Sequence, residues 1–207
     1  MIFETQQKLI EFDLPANRKQ VIIKMSGGAD SAILAYCLAL YKKQERPDLK
    51  LYVVTVNSVS PKNYHVKIAK RVMDKITELT GVTFERHYTK DLVEPGFDDT
   101  TLSTEEWRKA SPYTRTSAEM VEDLKKQIQM DNKPENRPLH YSGITKNPPT
   151  SLSMFYEDWY ASNGVKGNWI TERDANSRRD EGSEENKEYW RKPFTNIDKR
   201  AIYQLYA

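Results

Sequence analysis

The chain of 207 residues is long enough to bury a sizeable core and is most simply one domain, with room for an inserted or appended lobe. Its 32 basic and 30 acidic residues leave a formal charge of +2, too little to argue for nucleic acid as a partner, although tRNA stays open. With no charged-then-apolar leader, no bilayer-length apolar run and one cysteine, neither secretion, membrane insertion nor an internal disulfide is expected, and the predicted location is cytoplasmic, or host cytoplasm for a viral source.

Residues 1–18 mix apolar and polar types, and Gln7, Lys8, Leu9, Ile10 and Phe12 suggest a short helix or edge segment before Pro15. Val21, Ile22 and Ile23, followed by Met25, form a β-branched run that predicts a short strand buried on both faces, as in a parallel sheet covered by helices. Gly27 and Gly28 then permit a tight turn, and the spacing of Ile33, Leu34, Cys37, Leu38 and Tyr41 predicts a helix beginning near Asp30. A strand, a glycine turn and a helix in that order make an anion site, because the first helical amides lack internal partners and carry the positive end of the macrodipole. Ser26 and Ser31 supply hydroxyls for phosphate oxygens, and Asp30 either caps the helix or holds a magnesium ion bridging phosphates. The plainer alternative is a glycine turn with Ser and Asp as caps alone.

The run Ser26-Gly27-Gly28-Ala29-Asp30-Ser31 matches the SGGxDS signature at every fixed position and resembles the PP-loop ATP pyrophosphatases. That family includes GMP synthetase, NAD synthetase, asparagine synthetase, 7-cyano-7-deazaguanine synthase, tRNA-thiolating enzymes and PAPS reductases. Neither a Walker A loop nor a GxGxxG dinucleotide motif fits these residues. The resemblance implies a three-layer, Rossmann-like α/β domain of the HUP type with a mostly parallel sheet, spanning about residues 18–90 and returning near 138–147 and 193–205. It also implies ATP and Mg2+ at the loop.

After a polar break at residues 44–48, residues 51–57 predict a second strand, which completes a βαβ unit. Ligands in such sheets sit beyond the carboxyl ends of the strands, which puts Asn57 beside the loop, and the resemblance implies adenine or ribose contact there. Residues 62–80 carry a helical apolar pattern ended by Gly81 and loosely resemble the second helix of 7-cyano-7-deazaguanine synthase; residues 82–88 predict a third strand. Residues 91–137 are expected to form a lid or substrate-side insertion, with an amphipathic helix over 117–130 through Met120, Val121, Leu124 and Ile128. Residues 139–142 predict a fourth strand ending at Gly143; Thr145 and Asn147 follow it, and the resemblance implies that polar residues here contact ATP or substrate. The densely charged stretch 172–192, with Arg173, Arg178 and Arg179, is expected to be a loop that is mobile without ligand. A last helix is predicted to start at Asn196 or Asp198. Pro193-Phe194 followed by Lys199 and Ile202 resembles the terminal element of PP-loop synthetases, in which the lysine approaches the leaving pyrophosphate.

Together these readings predict adenylation: an acceptor oxygen attacks the α-phosphate of ATP, pyrophosphate leaves, and ammonia or an amine displaces AMP, with Asp30 and Lys199 as the catalytic residues. The nucleotide contacts are Ser26, Gly27, Gly28, Asp30, Ser31, Asn57, Gly143 and Thr145, and Asp30 is the metal ligand. The nearest resemblance is to 7-cyano-7-deazaguanine synthase acting on a small molecule, and a homodimer is compatible with it. Typical members of that group carry a C-terminal four-cysteine zinc site, so this sequence fits a divergent or truncated relative. The alternatives are a PAPS-reductase-like or sulfur-transferring enzyme and a non-catalytic ATP-binding module. Cys37, inside the first helix and facing the core, is a poor sulfur carrier, and His65, His87 and His140 are scattered without zinc spacing.

Overall fold

The computed structural model describes residues 1–57, 64–91, 119–124, 126–127, 138–143, 145, 190–195 and 197–207. At its centre lies strand β3 (Gln20–Lys24), whose Val21, Ile22 and Ile23 are each at most 1% exposed. Successive strand residues point to opposite faces, so burial of all three requires cover on both sides. Val21 and Ile23 pack with helix α1 (Ala29–Gln44), helix α2 (Tyr64–Thr80) and the terminal helix α3 (Lys199–Gln204). Ile22 instead joins Val54, Val56, Met120, Val121 and Leu124, so the helical residues 119–124 cover the opposite face. Full burial of one such aliphatic side chain stabilises by about 1.5–3 kcal/mol, so covering both faces decides where the layers go. The result is a three-layer α/β arrangement of the Rossmann-like kind.

The sheet contains β3, β4 (Lys50–Asn57), β5 (Arg86–Asp91), β6 (Leu139–Ser142) and β7 (Trp190–Arg191) in the order β5-β4-β3-β6-β7, and every pairing is parallel. From β3 the chain steps outward to β5, then crosses back to β6 on the other side of β3 and on to β7. The reversal leaves a crevice between the carboxyl ends of β3 and β6, which is where open α/β sheets bind ligands.

Strands β1 (Ile2–Glu4) and β2 (Leu9–Glu11) pair antiparallel in a separate two-stranded sheet, which corrects the expectation of a short helix or edge segment over residues 1–18. The decisive features are period-two burial, with Ile10 and Phe12 inside and Leu9 and Glu11 outside, and a turn in which Thr5 Oγ1 accepts from the Lys8 amide at 3.0 Å. The loop into β3 is pinned by Arg46, whose guanidinium donates to the carbonyls of Leu14, Pro15, Ala16 and Arg18 and to Asp48.

The third strand runs over Arg86–Asp91 instead of 82–88, because Val82 turns into the core after Gly81 and the Glu85 amide bonds Leu51 O at 2.8 Å before pairing begins. Strand β7 was not expected; two residues carry no readable periodicity. The fourth strand lies where expected. Most of the 91–137 insertion and of the charged stretch 172–192, together with Asn147, falls outside the described residues. Among those described, no helix is long and apolar enough to cross a membrane.

Candidate active site

The segment 25–31 leaves β3 at the crevice. Gly27 has φ +84°, and a Cβ there would lie 2.7 Å from Ile68 Cγ2, so α2 packs directly against the loop. A side chain there is opposed by backbone conformation and by space together. Gly28 is the N-cap of α1 and makes no side-chain cap bond, so among the described residues the opening amides of the helix have no capping side chain. Asp30 is therefore not the cap. Ser31 is buried and donates its hydroxyl hydrogen to Gly28 O at 2.9 Å, so in this arrangement it braces the turn. Ser26 Oγ accepts a long contact from the Gly28 amide at 3.5 Å.

Asp30 is where three distant parts of the chain meet. Its Oδ2 accepts from Lys199 Nζ in an ion pair and from Thr145 Oγ1 at 3.2 Å, while its buried Oδ1 has no hydrogen-bond partner among the described residues. Gly143 brings the end of β6 against the same helix turn; a Cβ there would lie 2.7 Å from Asp30 O and 3.1 Å from the Ser31 amide. Tyr206 closes the far side by donating its hydroxyl to Ala29 O at 2.7 Å, and burial together with the charge of Asp30 pushes its phenol up. Of the residues anticipated from sequence, Ser26, Gly27, Gly28, Asp30, Ser31, Gly143, Thr145 and Lys199 are thus gathered around one helix start. Asn57 stands apart from these contacts: at the end of β4 its Nδ2 donates to Asp91 Oδ1 at 2.7 Å.

Lys199 reaches Asp30 from the first turn of α3, and that turn is firmly built. Asp198 is its N-cap, accepting from the Arg200 amide at 2.9 Å and from the Arg200 guanidinium, while Gln7 clasps it through its side-chain nitrogen at 2.8 Å and its side-chain oxygen, 3.0 Å from the Asp198 amide. Burial opposes the Asp198 charge, but the bonds from Arg200 and Gln7 outweigh it and hold the carboxyl down at about 2. An unfolded aspartate titrates near ~3.9. The depressed folded value contributes stability that is fully present above about pH 4 and lost as the pH falls toward about 2, on the order of 1 kcal/mol. Urea midpoints should therefore favour the wild type over Asp198→Asn at pH 5, by a margin that shrinks steadily below pH 4. A margin independent of pH would contradict the assignment.

Gln7 carried no sequence signal, since 191 residues separate it from Asp198. His65 was visible only as one of three scattered histidines; its Nδ1 lies 3.0 Å from Ser26 O, at the loop itself. His87 is structural, its Nε2 2.8 Å from Thr55 Oγ1, and burial pushes its pKa down. Cys37 is 1% exposed, and burial pushes its thiol up to about 12 against a weaker backbone hydrogen bond. At pH 8 only about one molecule in ten thousand would then carry the thiolate. A thiol-alkylating reagent should leave the native protein unmodified and label it promptly in denaturant; native labelling at the rate of free cysteine would contradict this burial.

No protein-family model matches the chain, and no curated protein matches it. Among solved structures it is similar to the U34-tRNA thiolase NcsA from Methanococcus maripaludis, solved with its 4Fe–4S cluster, at 18% identity and a TM-score of 0.49; the match covers 95% of this chain and 58% of that one. The chain thus spans less than two thirds of the length of that enzyme.

Proposed function

We propose that the protein is an ATP-dependent adenylating enzyme of the PP-loop kind, which forms AMP and pyrophosphate while activating a carboxylate or carbonyl oxygen for attack by ammonia or an amine. The observation that carries this reading is the assembly at the switch point: a glycine turn opening helix α1, with Asp30 bound there by Lys199 and Thr145 from two other segments. Uncapped helix amides suit a polyphosphate, and a lysine poised at the same point suits charge accumulating on a leaving pyrophosphate.

Magnesium fits the residues present. Asp30 offers a buried carboxylate oxygen with no partner among the described residues, and Mg2+ commonly takes one or two carboxylates together with substrate phosphates, so the lack of a cluster of three acidic or histidine ligands among those residues is no obstacle. Bound there, the ion would supply charge neutralisation between phosphate oxygens. Asp30 would hold it, and Lys199, released from Asp30, would follow the pyrophosphate. The acceptor oxygen forms its bond to the α-phosphorus as the bond to the pyrophosphate oxygen breaks. Ammonia or an amine then displaces AMP from the activated carbon.

Cys37 favours amidation over sulfur transfer. Buried and protonated, it is ill suited to carry sulfur, and these 207 residues hold no second cysteine for a disulfide relay or the several thiolates of an iron–sulfur cluster. The deciding experiment incubates the protein with magnesium and ATP labelled at the α-phosphate, with and without carboxylate acceptors such as 7-carboxy-7-deazaguanine plus ammonium. Acceptor-dependent AMP and pyrophosphate are expected. Tight binding of ATP that stays intact across the acceptor panel would point to a binding module, and ADP with phosphate would refute attack at the α-phosphate.

A further inference from the structure

The carbonyls of the two residues preceding Gly27 are both held from behind the loop. Thr55 Oγ1 donates to Met25 O at 2.8 Å; with its hydrogen committed there it must accept from His87, which assigns the Nε2–H form to that ring. The second carbonyl, Ser26 O, is met by His65 Nδ1 at 3.0 Å. A carbonyl only accepts, so Nδ1 carries the hydrogen.

That contact orients the next peptide. No peptide bond among the described residues is cis, and in a trans unit the N–H points opposite to the C=O. Because Ser26 O turns toward α2, the Gly27 N–H turns away from α2. Ile68 lies three residues after His65 and so on the same side of the helix, and it is the side chain that crowds the missing Cβ of Gly27. This face of α2 is therefore a wall against the loop: Ile68 sets how closely the backbone approaches, and His65 sets which way the peptide faces.

We propose that His65 is a positioning residue for nucleotide binding, holding the Ser26 carbonyl so that the Gly27 amide is presented to the polyphosphate. The proposal rests on the adenylation reading for the identity of the ligand, while the contact itself can be tested without it. Asparagine places an amide nitrogen close to where Nδ1 sits, whereas glutamine reaches toward the position of Nε2. The two substitutions therefore separate a donor at the right atom from general packing.

The experiment measures MgATP affinity by calorimetry, the unfolding midpoint and the Gly27 amide resonance for the wild type, His65→Asn, His65→Gln and His65→Ala. Losing one donor aimed at a charged group predicts affinity about tenfold weaker in the Ala and Gln variants, with Asn recovering to within about threefold of wild type. The Gly27 resonance should move in Ala and Gln and return toward its wild-type position in Asn. Ala binding as tightly as wild type, or Asn and Gln behaving alike in folded protein, would overturn the role of His65. Wild-type protein that binds no MgATP would instead refute the nucleotide reading. In that case the Gly27 resonance still decides the contact: restoration by Asn alone supports it, and an unmoved resonance in Ala overturns it.

Discussion

Replacing Lys199 by methionine should lower acceptor-dependent AMP formation by about 10²–10³-fold, the usual effect of removing one preorganised charge from a site where charge develops. Methionine keeps the unbranched stem and leaves the Asp198 cap and the Gln7 clasp in place, so α3 should still form. The competing view is that Lys199 and Asp30 form an ordinary ion pair. Their side chains are 38% and 19% exposed, and partly exposed pairs contribute about 0–1 kcal/mol to stability. The two views predict opposite profiles: large loss of turnover with a nearly unchanged unfolding midpoint, or a small loss of stability with turnover per folded molecule intact.

Asp30→Asn sharpens the test. It keeps the shape and the contact with Thr145 but removes the charge that pairs with Lys199 and suits magnesium. Its effect on turnover should also be about 10²–10³-fold, and the double variant should lose far less than the product of the two, because each single change already disables the shared unit. Strict multiplicativity would mean that the two residues act separately.

What could be read in the sequence was what is local. The β-branched run 21–23, the glycine pair and the helical spacing from Ile33 to Tyr41 are consecutive, so they declare strand, turn and helix without reference to anything else. Lys199 and Gly143 became legible through resemblance, since nothing in their own neighbourhoods connects them to Asp30. The hairpin was misjudged because its period-two burial spans only three residues a strand and Gln6 and Gln7 favour helix as readily as turn. His65 could not be assigned for a different reason: its partner is a backbone carbonyl 39 residues away, and side-chain patterning carries no record of carbonyls. Ser31 marks the limit of motif reading. Its position was anticipated, but its hydroxyl hydrogen is directed to Gly28 O, within the turn.

Gly27→Ala should be the most damaging single-methyl change among the three glycines whose surroundings differ in an informative way. At Gly81 φ is +75° and a Cβ would meet nothing within 4 Å, so alanine there adds backbone strain alone, about 1 kcal/mol. At Gly143 φ is ordinary but the Cβ would fall 2.7 Å from Asp30 O and 2.8 Å from its carbonyl carbon, so alanine adds overpacking alone, about 1–3 kcal/mol, against helix backbone that cannot rotate away. Gly27 carries both burdens, with φ +84° and a Cβ 2.7 Å from Ile68 Cγ2 and 3.2 Å from the Ala69 amide nitrogen, which together cost about 2–5 kcal/mol. Denaturant midpoints should rank Gly81→Ala above Gly143→Ala above Gly27→Ala. Nucleotide affinity should divide them differently: unchanged in Gly81→Ala, whose methyl lies at the far end of α2, and lost in the other two, whose methyls displace the loop or the turn holding Asp30. Loss of MgATP binding in Gly81→Ala at a temperature where it is fully folded would show that affinity follows global stability, and would remove the argument that segment 25–31 is the binding element. Retained binding in a folded Gly143→Ala protein would separate the end of β6 from the site and leave Thr145 as a structural partner of Asp30.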